Sequence, residues 1–280
     1  MKIVTMSREG GGSELIRYTR SKKIRIDCKD KNRKIPIFLA GTVILTILSL
    51  WFLDIPWLKL ASRVPDVGDI FWKLAHFDLS RWDLILSSLL ETISITVLST
   101  FYGLALGLIF GLLAAENILR LKWFSRFVQA FFTFLRAVPT PVWVLLMMVC
   151  LGMGPAAGIA GLCVHTTAFF TKSFSQSFES IPGETIEALE ATGVGRLGIF
   201  LNAVLPSALA QVIAWVGMRF EINFSECAIL GMVGAGGIGY VISKSIQGYE
   251  YGTAGVSIFL VFILAYLIER IFVRIKQKIK

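Results

Sequence analysis

Charge is scarce in this sequence. Of 280 residues, 17% are Asp, Glu, Lys or Arg, 55% are hydrophobic, and the mean hydropathy is +0.70. A soluble domain of this size has no core large enough to hide so much apolar surface, so that class is excluded. Histidine is scarcer still, with two residues, and the four cysteines (Cys28, Cys150, Cys163 and Cys227) form no C-x-x-C pair. Three of the four lie in apolar stretches and read as small buried hydrophobes, so neither a disulfide framework nor a metal site is expected. Also missing are G-x-x-x-x-G-K-[ST], G-x-S-x-G and H-E-x-x-H. Without the first the chain cannot cradle ATP by the P-loop route; without the others no catalytic constellation is visible. The first 34 residues are too charged for a cleavable signal sequence.

Long apolar runs are what the chain does have. Several approach the ~20 residues that cross a bilayer, so the predicted class is an all-α polytopic membrane protein of about six transmembrane helices. The spans fall at 35–53, 84–115, from near Pro139, 156–174, 207–233 and 253–272. Arg136, Pro139 and Pro141 interrupt the third region, because proline removes a backbone donor and disfavours helix at its predecessor. Residues 127–137 are therefore expected to lie at the interface.

The net charge of +9 raises the possibility of a nucleic-acid partner, but its distribution argues against one. Residues 1–34 carry eleven Lys or Arg against four Asp or Glu, and the last twelve residues carry five basic against one acidic. Basic segments of this kind flank spans on the cytoplasmic side, and an even number of spans puts both termini there. The organisation that follows is a basic tail (1–34), a first span with its external loop (35–83), a core (84–274) and a short basic tail (275–280).

One polar island interrupts the apolar core at 184–206. Glu184, Glu187 and Glu190 recur every third residue beside Ile186, Ala188 and Leu189, which predicts a short amphipathic helix. Gly193 suits the left-handed position that ends it, a second short helix follows over 196–205, and Pro206 marks the next boundary. Charge parity places this island in the cytoplasm, where its use is to touch something outside the membrane.

Within the fifth span stand Arg219, Glu221, Asn223 and Glu226. An ionised side chain at mid-membrane costs about 2.5–3.5 kcal/mol on translocon scales, so it needs a partner or a function. At helical spacing Arg219, Asn223 and Glu226 share a face and Glu221 points nearly opposite. That face permits pairing of Arg219 with Glu226 through Asn223, and equally a polar passage for an anion. His165, beside Thr166 and Thr167 in the fourth span, is either bonded to a neighbouring helix or part of the same route. Gly234, Gly236, Gly237 and Gly239 match G-x-G-x-x-G, but without a preceding strand the dinucleotide reading has no support. A tightly packed turn at the outer end of the span remains. Arg136 reads as an anchor at the headgroups, with substrate contact as the alternative.

The spacing of Glu187-Ala188-Leu189, Gly193 and Ala203-Val204-Leu205-Pro206 resembles the EAA loop of permease subunits of binding-protein-dependent ABC importers, with Leu189 and Ala203 replacing the usual alanine and isoleucine. Arg136-Ala-Val-Pro139 and the Val233–Gly239 run resemble further segments of this group, and Arg219-Phe-Glu-Ile-Asn223 with the His165 context is similar to its phosphonate branch. The resemblance implies a type I ABC importer permease fold in the inner membrane of a prokaryote. It implies a second permease copy, separate ATP-binding cassette subunits that hold ATP and Mg, an extracytoplasmic substrate-binding protein and a phosphonate-like anion as cargo. On this chain it implies no bound cofactor and no catalysis. Glu184, Glu187, Ala188, Gly193, Leu205 and Pro206 would couple to the ATPase, while Arg219, Glu221, Asn223, Glu226 and His165 would line the route. A methionine-type importer permease and a secondary transporter remain as alternatives.

Overall fold

The computed structural model describes residues 17–18, 24–25, 34–119 and 121–279; the rest of the basic segment at 1–34 lies outside the described residues. The chain divides into two units, Met1–Pro65 and Asp66–Lys280. In the first, a two-residue pair joins Arg17–Tyr18 to Ile24–Arg25, followed by α1 (Lys34–Phe52) and α2 (Trp57–Ser62). No residue in the apolar window of α1, Ile35–Phe52, is buried. A helix that is hydrophobic all round and covered by nothing is solvated by lipid.

The second unit is helical throughout. After α3 (Val64–Ala75) come α4 (Trp82–Ala114), α5 (Lys122–Ala137), α6 (Thr140–Leu151) and α7 (Pro155–Glu179). Then follow α8 (Gly183–Ala191), α9 (Arg196–Ile199), α10 (Leu205–Leu230), α11 (Gly237–Gln247) and α12 (Tyr251–Ile279). Four helices among the described residues are long and apolar enough to cross a membrane: Ile35–Phe52, Trp82–Ala114, Arg196–Ala235 and Tyr251–Gln277. The pair α5 and α6, bent by 87° at Val138–Pro139, makes a fifth if counted as one broken span. Alone, the 12 residues of α6 reach only ~18 Å, short of the hydrocarbon core.

The count of about six therefore depends on α7, which is long enough at 25 residues but too polar to pass on hydropathy. Its polarity is explained by where it sits. Thr166, Thr167, Thr171, Ser173, Ser175 and Ser177 are all buried, together with Phe170, Phe174 and Phe178 at 0% exposure. The helix is wrapped by protein instead of lipid. Gly103, Gly107 and Gly111 of α4, four residues apart, lie under Thr166, Phe170 and Phe174 of α7, and any Cβ on those glycines would strike these side chains. Small residues at this spacing let two helices approach closely where no water is available to drive them together.

Two further features correct the expected boundaries. Pro206 does not break the chain's path: α9 runs through a π turn at Phe200–Val204 into α10, and Leu205 N–H donates to the Phe200 carbonyl. Widening the ladder just before the proline accommodates a residue that has no N–H and would collide with the carbonyl four positions back. The sixth helix likewise runs past its expected end at 272, because α12 continues to Ile279.

Candidate functional site

Two polar features stand out in an otherwise apolar molecule. The first is built on α10, where 3.6-residue periodicity brings Arg219, Asn223 and Glu226 to one face. Arg219 and Asn223 are buried at 2% and 0% exposure. The Arg219 Nη2 donates to Glu226 Oε2 at 3.1 Å, a direct ion pair that does not pass through Asn223. Its Nε donates to Thr166 Oγ1 at 3.3 Å, and Nη2 lies 3.0 Å from His165 Nδ1. A guanidinium can only donate, so Nδ1 is the acceptor and His165 is the neutral tautomer protonated on Nε2.

Asn223 is satisfied at both ends of its amide. Thr166 Oγ1 donates to its Oδ1 at 3.1 Å, and its Nδ2 donates to Thr100 Oγ1 at 2.9 Å. Glu226 accepts a second bond from Thr140 Oγ1 at 3.2 Å. Helices α4, α6, α7 and α10 thus each contribute a group. Because Arg219 is desolvated, removing Glu226 alone would leave an uncompensated charge, a loss of roughly 3–5 kcal/mol in buried pairs of this kind.

Glu221 points elsewhere. It lines a cavity of about 450 Å³ between α10 and α12, with Gln211, Glu269 and Lys276 among the lining groups. The sequence spacing separates it from the Arg219 face, and the structure keeps it apart. Thr100 and Thr140 were not legible as members, because nothing in their local sequence distinguishes them from other hydroxyls in apolar helices.

The glycine run closes the same end of α10. Gly234, Gly236 and Gly237 have φ of +112°, +82° and +71°. They turn the chain so that α11 folds back on α10, with Gly239 against the Ala228 carbonyl where no Cβ would fit. Thr92 Oγ1 accepts the Ile238 N–H at 2.8 Å, and Gly154 N–H donates to the Gly234 carbonyl at 3.1 Å.

The second feature is α8–α9. Only Ile186 of α8 is buried, packing with Leu189 against Phe178, Ile199, Phe200 and Val204. Glu184, Glu187, Ala188 and Glu190 all lie on the exposed side. Gly193 at φ +78° ends the helix, its N–H bonded to the Glu190 carbonyl at 3.0 Å. Leu205 is half-buried and Pro206 exposed at the start of α10. Among the described residues no three His, Cys, Asp or Glu side chains converge as metal ligands.

The chain is 32% identical over 212 residues to the phosphate-import permease protein PhnE of Mycolicibacterium smegmatis, covering 74% of this chain and 39% of that protein. The chain thus spans about two fifths of that relative's length. It is 27% identical over 225 residues to the putative phosphite transport system permease protein HtxC of Stutzerimonas stutzeri, covering 80% of each. Its fold matches the permease in an inward-facing structure of the MetNI methionine ABC transporter, with a TM-score of 0.67 and 26% identity over 72% of this chain and 99% of that one. Residues 107–279 match the family of binding-protein-dependent transport system inner membrane components, which takes in α7, the exposed α8–α9 segment and the Arg219 cluster apart from Thr100. With its type I importer permease architecture and that match across most of its core, this chain belongs to the binding-protein-dependent transport system inner membrane component family and is a membrane transport subunit.

Proposed function

We propose that this chain is the permease subunit of an ATP-driven importer for phosphorus oxyanions: phosphonate, phosphite or phosphate. The observation that carries the reading is a buried, hydrogen-bonded arginine at the meeting point of four helices, in a chain whose relatives are named for phosphate and phosphite transport. In a low-dielectric setting a guanidinium attracts an anion far more strongly than it would in water. Arg219, Asn223, Glu226 and His165 line the route, and Glu221 faces the neighbouring cavity.

In this reading two copies of the chain enclose the pathway in a prokaryotic inner membrane, with both termini cytoplasmic. A loaded binding protein docks outside. Separate ATPase subunits, which hold ATP and Mg, dock on the exposed acids of α8, and Glu184, Glu187, Ala188, Gly193, Leu205 and Pro206 carry their motion to the spans. The packing of Ile186 and Leu189 on the base of α7 supports this, since a push on α8 reaches the Phe174–Phe178 core directly. No nucleic acid and no cofactor on this chain enter the cycle.

A methionine-type importer is the second reading, favoured by the likeness to MetNI. Reconstitution of the permease with its ATPase and binding protein in proteoliposomes separates them. Uptake of methylphosphonate, phosphite or phosphate without methionine uptake is the expected result, and the reverse pattern would overturn the oxyanion reading. Gly193→Val puts a β-branched residue at φ +78°, a strain of roughly 1–3 kcal/mol. It should leave ATPase binding intact while uncoupling hydrolysis from uptake; wild-type uptake per ATP would remove α8–α9 from the coupling path.

A further inference from the structure

Helix α11 ends in a turn that puts an unfavoured residue type at its most demanding position. Glu250 N–H donates to the Ser245 carbonyl at 2.8 Å, and Tyr249 N–H donates to the Ile246 carbonyl at 3.2 Å. Those two bonds define a Schellman ending, in which the residue after the cap is left-handed and glycine is the usual occupant. Here Tyr249 takes that position at φ +59°, while Gly248 stands one place earlier at an ordinary φ of −83°. Asp54 is the one other non-glycine residue at positive φ among the described residues. A short polar side chain tolerates that region, whereas a bulky ring there is an outlier. Packing does not compensate, because Tyr249 is 79% exposed and meets the Tyr251 ring edge-on at 6.2 Å between centroids. A ring that strains its own backbone and buries little surface has its use outside the fold.

The turn is firmly mounted. Arg81 Nη2 donates to Glu250 Oε1 at 2.6 Å, and the Glu250 carbonyl accepts the Ala254 N–H at 3.2 Å. Gly252 lies so close to the His76 carbonyl and Asp78 that no Cβ would fit. All of this sits at the end of the molecule opposite α8–α9. Arg81 precedes α4, whose 33 residues span ~50 Å. Beyond the far end of α4, Glu116 N–H donates to Glu179 Oε1 at 2.9 Å, just before α8.

Resting on the importer reading, in which a loaded binding protein docks outside, we propose that Tyr249 is the aromatic anchor of that docking surface, with the Arg81–Glu250 pair as its polar rim. An aromatic side chain has few rotatable bonds, and one fixed on a braced turn loses little freedom on binding. Such anchors fill a pocket on the partner while the groups around them exclude water. Arg81 and Glu250 keep 49% and 37% of their side chains exposed, so each has bonding capacity left for the partner. The partner is therefore a folded protein with a concave, phenol-sized pocket edged by charges of both signs. Lipid headgroups give no reason for the strained placement. A ring that needs only the membrane interface is served by an outward position on a helix, as Tyr240 of α11 is at 50% exposure. Holding the ring one residue past an available glycine fixes its direction, which matters to a pocket and not to a fluid.

The test compares wild type with Tyr249→Phe, Tyr249→Ala and Tyr249→Gly, each as the permease–ATPase complex in nanodiscs. The probe is the purified substrate-binding protein, loaded with the solute it delivers in proteoliposomes, and its binding is followed by fluorescence anisotropy of a label it carries. Phe keeps the ring and should bind within about threefold of wild type. Ala and Gly both remove the ring and should weaken binding roughly tenfold or more. Gly alone relieves the turn, so it should unfold at a higher temperature than wild type or Tyr249→Ala. A protein that is more stable and docks worse is the expected result. Wild-type binding with Ala and Gly unchanged sinks this inference alone and leaves the ring to the headgroups. Docking kept in Gly but lost in Ala would assign the effect to the shape of the turn and overturn the anchor. Variants that fall apart into single permease copies would place the ring between copies, which overturns it too. A wild-type complex that binds no binding protein removes the docking step of the importer reading, and this inference with it.

Discussion

Asn223 shows how much one side chain in this protein depends on its neighbours. Its carbonyl accepts from Thr166 and its amide donates to Thr100, at full burial. Replacing it with Leu keeps the branched shape but takes one partner from each of two hydroxyls, a loss of about 1–3 kcal/mol expected for unsatisfied buried groups. Thermal unfolding of the detergent-solubilised protein should show a lower midpoint, with Thr100→Val/Asn223→Leu milder than the sum of the singles. The Arg219–Glu226 pair makes a sharper case. Arg219→Gln alone leaves Glu226 without its cation, whereas Arg219→Gln with Glu226→Gln removes both charges and should recover most of the lost stability. A double variant no more stable than the worse single would mean the charges are held by groups other than each other. Helical spacing alone made the shared face of these three residues legible. It could not reveal Thr100 or Thr140, which come from helices up to 123 positions away in sequence.

At the scale of elements, the turn after α10 decides whether α11 can fold back. Gly239 stands against the Ala228 carbonyl, so Gly239→Ala forces either the turn or the helix to shift. That variant should increase proteolysis in the Gly231–Gln247 region, and unchanged cleavage would show the contact to be dispensable. The α8 helix was legible because its apolar and acidic residues segregate within nine positions. The π turn before Pro206 was not. Proline reads as a boundary in sequence, yet an i→i+5 ladder absorbs it and leaves one path from Arg196 to Ala235. Helix α11 also escaped notice, because its 11 residues follow a run of glycines that reads as loop.

For the whole molecule, the outer surface defines the solvent. Phe262 of α12 is 70% exposed and Ile109 of α4 56%, in helices whose windows bury only 11% and 33% of their residues. Lipid contact accounts for such surfaces, since water would not tolerate them. Phe262→Lys should therefore reduce the membrane-inserted fraction after expression, by the roughly 2.5–3.5 kcal/mol a mid-membrane lysine costs. Undiminished insertion would place that face against protein.

Hydropathy and charge runs are local properties, and they carried the membrane class, most spans and the α8 amphipathic pattern without any structure. The glycines at 103, 107 and 111 could have been read as a packing stripe, but their partner was unknowable until α7 was placed on them. The polarity of α7 resolves in the same way. Its hydroxyls look wrong for a membrane until four surrounding helices replace lipid as their solvent. Which cation meets which carboxylate was likewise a matter of folding. A buried charge has no preferred partner along the chain; it takes the one that helix packing brings within about 3 Å, where desolvation makes any other choice too costly.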